Sequence, residues 1–230
     1  MRKKINIEFI GMPGSGKTFF QKLIAKNKDL KKFIIIKNNF KILNKIQKLL
    51  YILLFIIQYP VFFYKTIHLL YIKKKSASLK TGGSFYATAS RRLFYFFYNE
   101  IALRSYYNFC SKSCLFINSE GFLYRTCFYF KNNSNNKKLV DYLKRIPKID
   151  IIIFINSSKK KNIQRINKRK KEFKYSEIDL KNYAKYYKSL NKIVNSYKNK
   201  NKDTKWIVFD NKNQDTKKNL RNINNLINTV

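Results

Sequence analysis

A glycine-rich segment near the start of the chain constrains the fold more than any other feature. The pattern G-x-x-x-x-G-K-[ST] is matched at every fixed position by Gly11-Met12-Pro13-Gly14-Ser15-Gly16-Lys17-Thr18. Residues 4–10 before it are β-branched and aromatic, as in a strand, and residues 17–28 after it have a helical pattern. Such glycines let backbone N–H groups and the helix N-terminus surround an oligophosphate. The sequence therefore predicts a phosphate-binding loop between a strand and a helix.

Two side chains of this loop would act directly on a bound nucleotide. Lys17 would reach the β- and γ-phosphates of ATP, and the Thr18 hydroxyl would ligate Mg²⁺. The residues from Gly11 to Gly16 would bind the phosphates through their backbone. The Lys-Thr pair and the strand-helix context argue against a simple glycine turn.

The rest of the chain alternates apolar runs with helical patterns. A short apolar run at 33–36 predicts a buried strand. Strands are also predicted at 114–118, 150–156 and 206–210, and the unbroken apolar character of these three predicts cover on both faces. Helices are predicted at about 135–145, 158–172, 177–198 and 215–228. This alternation indicates an α/β fold with a five-stranded parallel sheet. We expect a single domain with a helical insertion at about 38–112 and a lid at about 157–175.

A site for phosphoryl transfer also needs a carboxylate near the metal, at the carboxyl end of a strand. Glu120 follows the strand at 114–118 and meets this requirement, whereas Glu8 lies inside the first strand and Asp150 opens its strand at the wrong end. The Walker-B position at the end of this strand carries Asn118 or Ser119 rather than Asp. Glu120 is therefore predicted as a catalytic carboxylate that holds Mg²⁺ or takes the proton of the acceptor's hydroxyl, the alternative being a helix N-terminal acid.

Arg165 and Arg169 lie four residues apart, on one face of a predicted helix. Two guanidinium groups so placed could clamp transferring phosphates and neutralise transition-state charge. The alternative is a solvated basic face in a lysine-rich protein.

Taken together, these motifs resemble the P-loop kinases of the nucleoside and nucleotide kinase group. GMPGSGKT resembles their phosphate loop, INSEG their acceptor-side acidic motif, PKIDIIIFINSS with R-x-x-x-R their fourth strand and lid, and WIVFDN their last strand. The resemblance implies a three-layer P-loop NTPase fold that transfers the γ-phosphoryl group of ATP with Mg²⁺. It makes Arg165 and Arg169 lid residues and Asn211 and Lys212 neighbours of the adenine. It also implies that the region around Arg91 and Arg92 faces the acceptor, whose identity stays open, and either arginine could bind an acceptor phosphate or a neighbouring acid.

Other nucleotide-binding classes lack their markers in this chain. A GTPase needs an N-K-x-D motif and an ABC-type ATPase an LSGGQ-like loop, and the sequence contains neither. A small-molecule kinase is thus the leading hypothesis. The alternative is a P-loop ATPase or nucleotide-binding regulatory protein without an acceptor.

Residues 49–64 form the most apolar window of the chain. Gln58 and Pro60 interrupt it, and Lys48 and Lys65 bound it. A single membrane span would also separate the phosphate loop from the Arg165 lid, so we expect none. Buried helices that cover the acceptor pocket are the main interpretation, and a peripheral contact with an anionic membrane is the alternative.

The net charge of +38 invites the idea of a polyanionic partner. However, Lys, Asn, Ile, Phe and Tyr make up more than half of the chain, and all five have A- and T-rich codons. Compositional drift explains their joint enrichment, whereas a nucleic-acid partner would not select Ile and Phe, so we expect no such partner. Three Cys and one His are too few for a disulfide framework or a zinc site, which favours a cytoplasmic protein.

Overall fold

A parallel β-sheet forms the centre of the protein in the computed structural model. The structure describes residues 2–12, 14–37, 43–78, 84–119, 121–129, 136–169, 177–210 and 216–229. The strands are β1 (Lys4–Gly11), β2 (Ile34–Lys37), β3 (Cys114–Asn118), β4 (Ile151–Asn156) and β5 (Lys205–Asp210). They pair in the order β2-β3-β1-β4-β5, all parallel. This confirms the predicted α/β fold with a five-stranded parallel sheet, and β1, which leads into the glycine-rich loop, lies in the middle.

Helices cover both faces of this sheet. They are α1 (Lys17–Lys26), α2 (Lys45–Gln58), α3 (Pro60–Ser78), α4 (Ser84–Phe109), α5 (Phe122–Tyr129), α6 (Asn136–Leu143), α7 (Lys159–Arg169), α8 (Glu177–Lys200) and α9 (Thr216–Thr229), with a short 3₁₀ helix at Lys28–Leu30. Apolar residues of α1 and α9 pack on one face, and those of α2 to α6 and α8 pack on the other. The result is a three-layer arrangement, as the sequence predicts.

Burial across the sheet differs between central and edge strands. Every residue of β3 is buried, and β1 is buried throughout except at Lys4. Val208 of the edge strand β5 is 66% exposed, and Ile34 of β2 is 37% exposed. The prediction of cover on both faces therefore holds for β3 and is wrong at Val208, and the prediction of a buried strand at 33–36 is wrong at Ile34. Both exposed positions lie on edge strands of the sheet.

The apolar insertion begins with a well-capped helix and then bends sharply. The Asn44 side chain accepts a hydrogen bond from the Gln47 N–H, and the Gln47 side chain accepts one from the Asn44 N–H. Tyr59 leaves the helical conformation before Pro60, whose ring disfavours helical geometry in the preceding residue. The axes of α2 and of the first part of α3 consequently differ by 110°. Ile52, Phe55 and Phe62 pack into the core on the sheet face opposite α1.

Candidate active site

The glycine-rich loop joins the carboxyl end of β1 to α1. Gly14 and Gly16 have φ values of +80° and +104°, which residues with a Cβ rarely adopt. Space is also restricted, since a Cβ on Gly14 would lie 2.5 Å from the Asn162 carbonyl oxygen. Gly16 is the N-cap of α1, so the helix begins directly at the loop, with the N–H groups of its first turn at that end. This is the geometry that backbone phosphate binding requires.

Lys17 lies folded into this loop. Its Nζ donates to the carbonyl oxygens of Gly11 at 2.7 Å and Met12 at 3.1 Å, and it stands 4.6 Å from the centre of the Tyr124 ring. The residue is 7% exposed. These contacts hold the cation beside the loop backbone, where the sequence places it. Thr18, the next residue, is exposed in the first turn of α1.

Helix α7 packs directly against the loop. Asn162 is fully buried, its Oδ1 accepts from the Ser157 hydroxyl at 2.6 Å, and its backbone borders Gly14. Arg165 is half-buried and directs Nη1 at the Gly14 carbonyl oxygen at 3.5 Å. The structure thus brings Arg165 to the loop, while the side chain of Arg169 lies outside the described part of the chain. The sequence does not indicate a role for Asn162, because nothing in its lysine-rich helix distinguishes a buried asparagine from an exposed one.

Four buried polar residues form a second group, on the sheet face opposite α1, which we call the acid cluster: Glu8, Glu100, Asn118 and Arg125. Glu8 and Asn118 are register partners on β1 and β3. The Asn118 amide donates to Glu100 Oε1 at 2.7 Å, and Arg125 Nε lies 3.5 Å from Glu100 Oε2. Helices α4 and α5 are thereby joined to the central strands by charged and polar contacts.

Glu8 holds the start of α5. Its carboxylate accepts from the Tyr124 N–H at 2.8 Å and from the Leu123 N–H at 3.4 Å. Gly121 makes room for it, since a Cβ there would lie 2.4 Å from Glu8 Cδ. Tyr124 is the residue whose ring contacts Lys17, so Glu8 connects the acid cluster to the phosphate loop. An acid within the apolar run of β1 is a visible signal in the sequence, because carboxylates are rarely buried without partners.

Burial dominates the proton affinity of both carboxylates. It raises the pKa of Glu8 from 4.5 to about 7, against the hydrogen bonds from α5 and the attraction of Arg104 and Arg125. It raises the pKa of Glu100 from 4.5 to about 8, against attraction by Arg125 and with a further increase from Glu8. Both acids therefore titrate near neutral pH, and each affects the charge state of the other.

The remaining predicted site residues lie outside the described ranges. Pro13, Glu120, Asn211 and Lys212 fall there, and the side chains of Arg91 and Arg92 do so as well. Asn118 is described, and its amide is directed at Glu100. Within the described residues no group of three or more His, Cys, Asp and Glu could hold a metal ion. Mg²⁺ needs only one or two protein oxygens when phosphates and water supply the rest, and the exposed Thr18 hydroxyl fits that role.

The structure is an α/β fold in which a loop with the G-x-x-x-x-G-K-[ST] pattern joins the central strand β1 to α1. No protein-family model matches the sequence, and no curated protein shows significant similarity to it. Similar solved structures are the deoxyadenosine kinase of M. mycoides with bound dATP (20% identity, TM-score 0.48, covering 97% of this chain and 100% of that chain) and with bound dCTP (20%, 0.42, 97% and 99%). Another is the thymidylate kinase of Ehrlichia chaffeensis (12%, 0.42, 99% and 100%).

Proposed function

We propose that this protein is a small-molecule kinase that transfers the γ-phosphoryl group of ATP to an acceptor. The observation that carries the proposal is the preorganised loop, in which Lys17 Nζ is held at the carbonyl oxygens of Gly11 and Met12. Phosphoryl transfer depends mainly on positioning and on stabilising charge, and a cation already ordered beside the loop supplies both.

Three groups would divide the work on the nucleotide. The backbone N–H groups of the loop and of the first turn of α1 would bind the phosphates. Lys17 would stabilise the charge that develops on the transferring group, and Arg165 would reach the same charge from α7. Mg²⁺, held by Thr18 and by the predicted ligand Glu120, would neutralise phosphate charge when bound.

The side of the sheet that carries the acid cluster is the proposed location of the acceptor. Helices α3, α4 and α5 meet there, and Tyr124 of α5 contacts Lys17. The acceptor's hydroxyl or phosphate would then approach the reacting phosphate from the sheet face opposite α1. Its chemical class is left to experiment, with nucleosides, nucleoside monophosphates, sugars and lipid-linked glycans as candidates.

The test measures ATP consumption by the purified protein with each class of candidate acceptor. Stimulation by at least one acceptor, with a phosphorylated product, would support the kinase. Lys17→Ala should lower the stimulated rate by about 10²- to 10³-fold, the usual loss for one preorganised group at a transferring phosphate. Lys22→Ala, at an exposed position of the same helix, is the matched control and should leave the rate unchanged.

Two outcomes would contradict the proposal. Hydrolysis of ATP at one rate, whatever acceptor is added, would indicate an ATPase without an acceptor. Turnover by Lys17→Ala equal to that of the parent would show that the loop has a structural role only. Far-UV circular dichroism of both variants shows whether a lowered rate reflects loss of the fold.

A further inference from the structure

Helix α2 is apolar on two opposite faces. Ile52 and Phe55 are buried on the inner face, in the core cluster that also contains residues of α4. We call the exposed apolar residues of the other face the outer stripe: Ile46 (80% exposed), Leu49 (58%), Leu50 (55%), Leu53 (52%) and Ile57 (75%). Their spacing of three, one, three and four residues places them along one line of the helix. Soluble proteins rarely expose a continuous apolar line, which marks an interaction surface.

Helix α3 carries a second row of exposed apolar and aromatic residues, of the kinds found where a membrane meets water. Val61, Tyr64 and Tyr71 are 46%, 70% and 65% exposed. His68 lies exposed between the two tyrosines and stacks on Tyr64, with ring centroids 6.2 Å apart. Tyrosine combines an apolar ring with a polar hydroxyl, and such residues concentrate where a membrane meets water.

The geometry of these helices indicates a contact at a membrane surface. No single described helix is both long and apolar enough to cross a bilayer, and α2 together with the first part of α3 reaches that length only across the bend of 110°. A bend of this size at Tyr59 directs the two helices away from a common axis. Each helix can instead lie along a membrane surface through its own exposed apolar side chains.

The positive charge around α2 and α3 indicates which kind of partner this surface can bind. Residues 30–99 contain no Asp or Glu, and Lys residues flank the uncharged window 49–64 on both sides. Lys45 and Lys48 lie on α2 itself. A second copy of this chain would bring the same positive surface into contact with itself, which like-charge repulsion opposes. Anionic phospholipid offers both an apolar interior and negative head groups, so it matches both properties of this surface.

We propose that the outer stripe of α2, with Tyr64 and Tyr71 of α3, docks the protein on an anionic phospholipid surface. The apolar side chains enter the boundary between head groups and acyl chains, and the flanking lysines contact the head groups. The contact is peripheral, so it requires no detergent for release.

The experiment is co-sedimentation of the full chain with vesicles of phosphatidylcholine alone and of an equal mixture of phosphatidylcholine and phosphatidylglycerol. We expect binding to the anionic vesicles and little to the neutral ones. Raising the salt from about 0.1 M to about 1 M shortens the Debye length from about 10 Å to about 3 Å and should release most of the bound protein. Leu49→Asn combined with Leu53→Asn should weaken binding by about 10- to 100-fold.

Val208→Asn is the matched control, because it removes an equally exposed apolar side chain from the edge strand β5. It should bind vesicles as the parent does, and all variants should unfold at the parent's temperature, since the replaced side chains face outward. Three results would overturn the proposal: no binding to anionic vesicles, binding unchanged when Leu49 and Leu53 are replaced, or a dimer in light scattering that this double variant abolishes.

Discussion

The buried carboxylates of the acid cluster should make folding stability depend on pH around neutrality. Burial raises the pKa of Glu8 to about 7 and that of Glu100 to about 8, from 4.5 in the unfolded chain. Between pH 4.5 and these values the folded protein binds more protons than the unfolded chain does. The free energy of unfolding must therefore fall as the pH rises through this window.

The size of the effect follows from the shifts. One pKa unit corresponds to about 1.4 kcal/mol, so Glu8 alone accounts for about 3 kcal/mol and Glu100 for about 5 kcal/mol across the window. Repulsion between the two acids contributes to the shift at Glu100, so the pair contributes less than the sum. Even half of this is a large part of the 5–15 kcal/mol that stabilises a typical domain.

The assay is urea unfolding of the parent and of Glu100→Gln at pH 5, 6, 7 and 8. The variant cannot ionise at this position, while its side-chain oxygen can still accept from Asn118, so its stability should change less with pH than that of the parent. Asp141→Asn is the control, because the Lys65 ammonium lowers the pKa of that exposed carboxyl from 3.8 and keeps its titration below the window.

Two results would refute this reasoning. Stability of the parent that stays level or rises between pH 5 and pH 8 would show that the guanidinium groups of Arg104 and Arg125 outweigh burial. A slope unchanged in Glu100→Gln would assign the pH dependence to groups outside the acid cluster.

Three further substitutions test the site. Gly14→Ala adds a Cβ at φ +80°, where it would collide with the first turn of α7. The affinity for ATP should therefore fall by about 10-fold or more, and an unchanged affinity would show that the loop adapts to the added Cβ. Arg165→Ala should lower kcat more than it raises KM for ATP. Lys161→Ala, at an exposed position of the same helix, is the control. If both variants lose the same activity, the general positive potential of the helix, and not a specific contact of Arg165, acts on the nucleotide. Gly121→Ala crowds the Glu8 carboxylate and should lower the free energy of unfolding by about 1–3 kcal/mol. A melting temperature equal to that of the parent would contradict this prediction.

The phosphate loop and the strands that frame it could be predicted from sequence because their determinants are local. Eight contiguous residues, Gly11 to Thr18, specify the loop, and an unbroken apolar run specifies a buried strand whatever its neighbours are. The strand bounds agree within a residue, as at 114–118. The functional roles of Glu120, Arg169 and Asn211 stay predictions.

The acid cluster and the loop's contact with α7 depend on long-range pairing. Parallel pairing of β1 with β3 and β4 brings Glu8 to Arg125 and Gly14 to Asn162, across more than a hundred residues of chain. No local pattern marks Glu100 or Arg125, since each reads as an ordinary charge on a helix. Only the packing of α4 and α5 on the sheet removes these groups from water.

Helix α2 shows most directly what the sequence determines and what the tertiary structure decides. Its composition predicts a buried helix, so the sequence favours residues 49–64 as a helical cover of the acceptor pocket inside the protein. That interpretation is correct for Ile52 and Phe55 and wrong for Leu49, Leu53 and Ile57, which the structure leaves exposed. Because both faces of α2 are apolar, hydrophobic periodicity cannot decide which of them packs inward. Contact with α4 makes that choice, and it leaves the outer stripe facing outward.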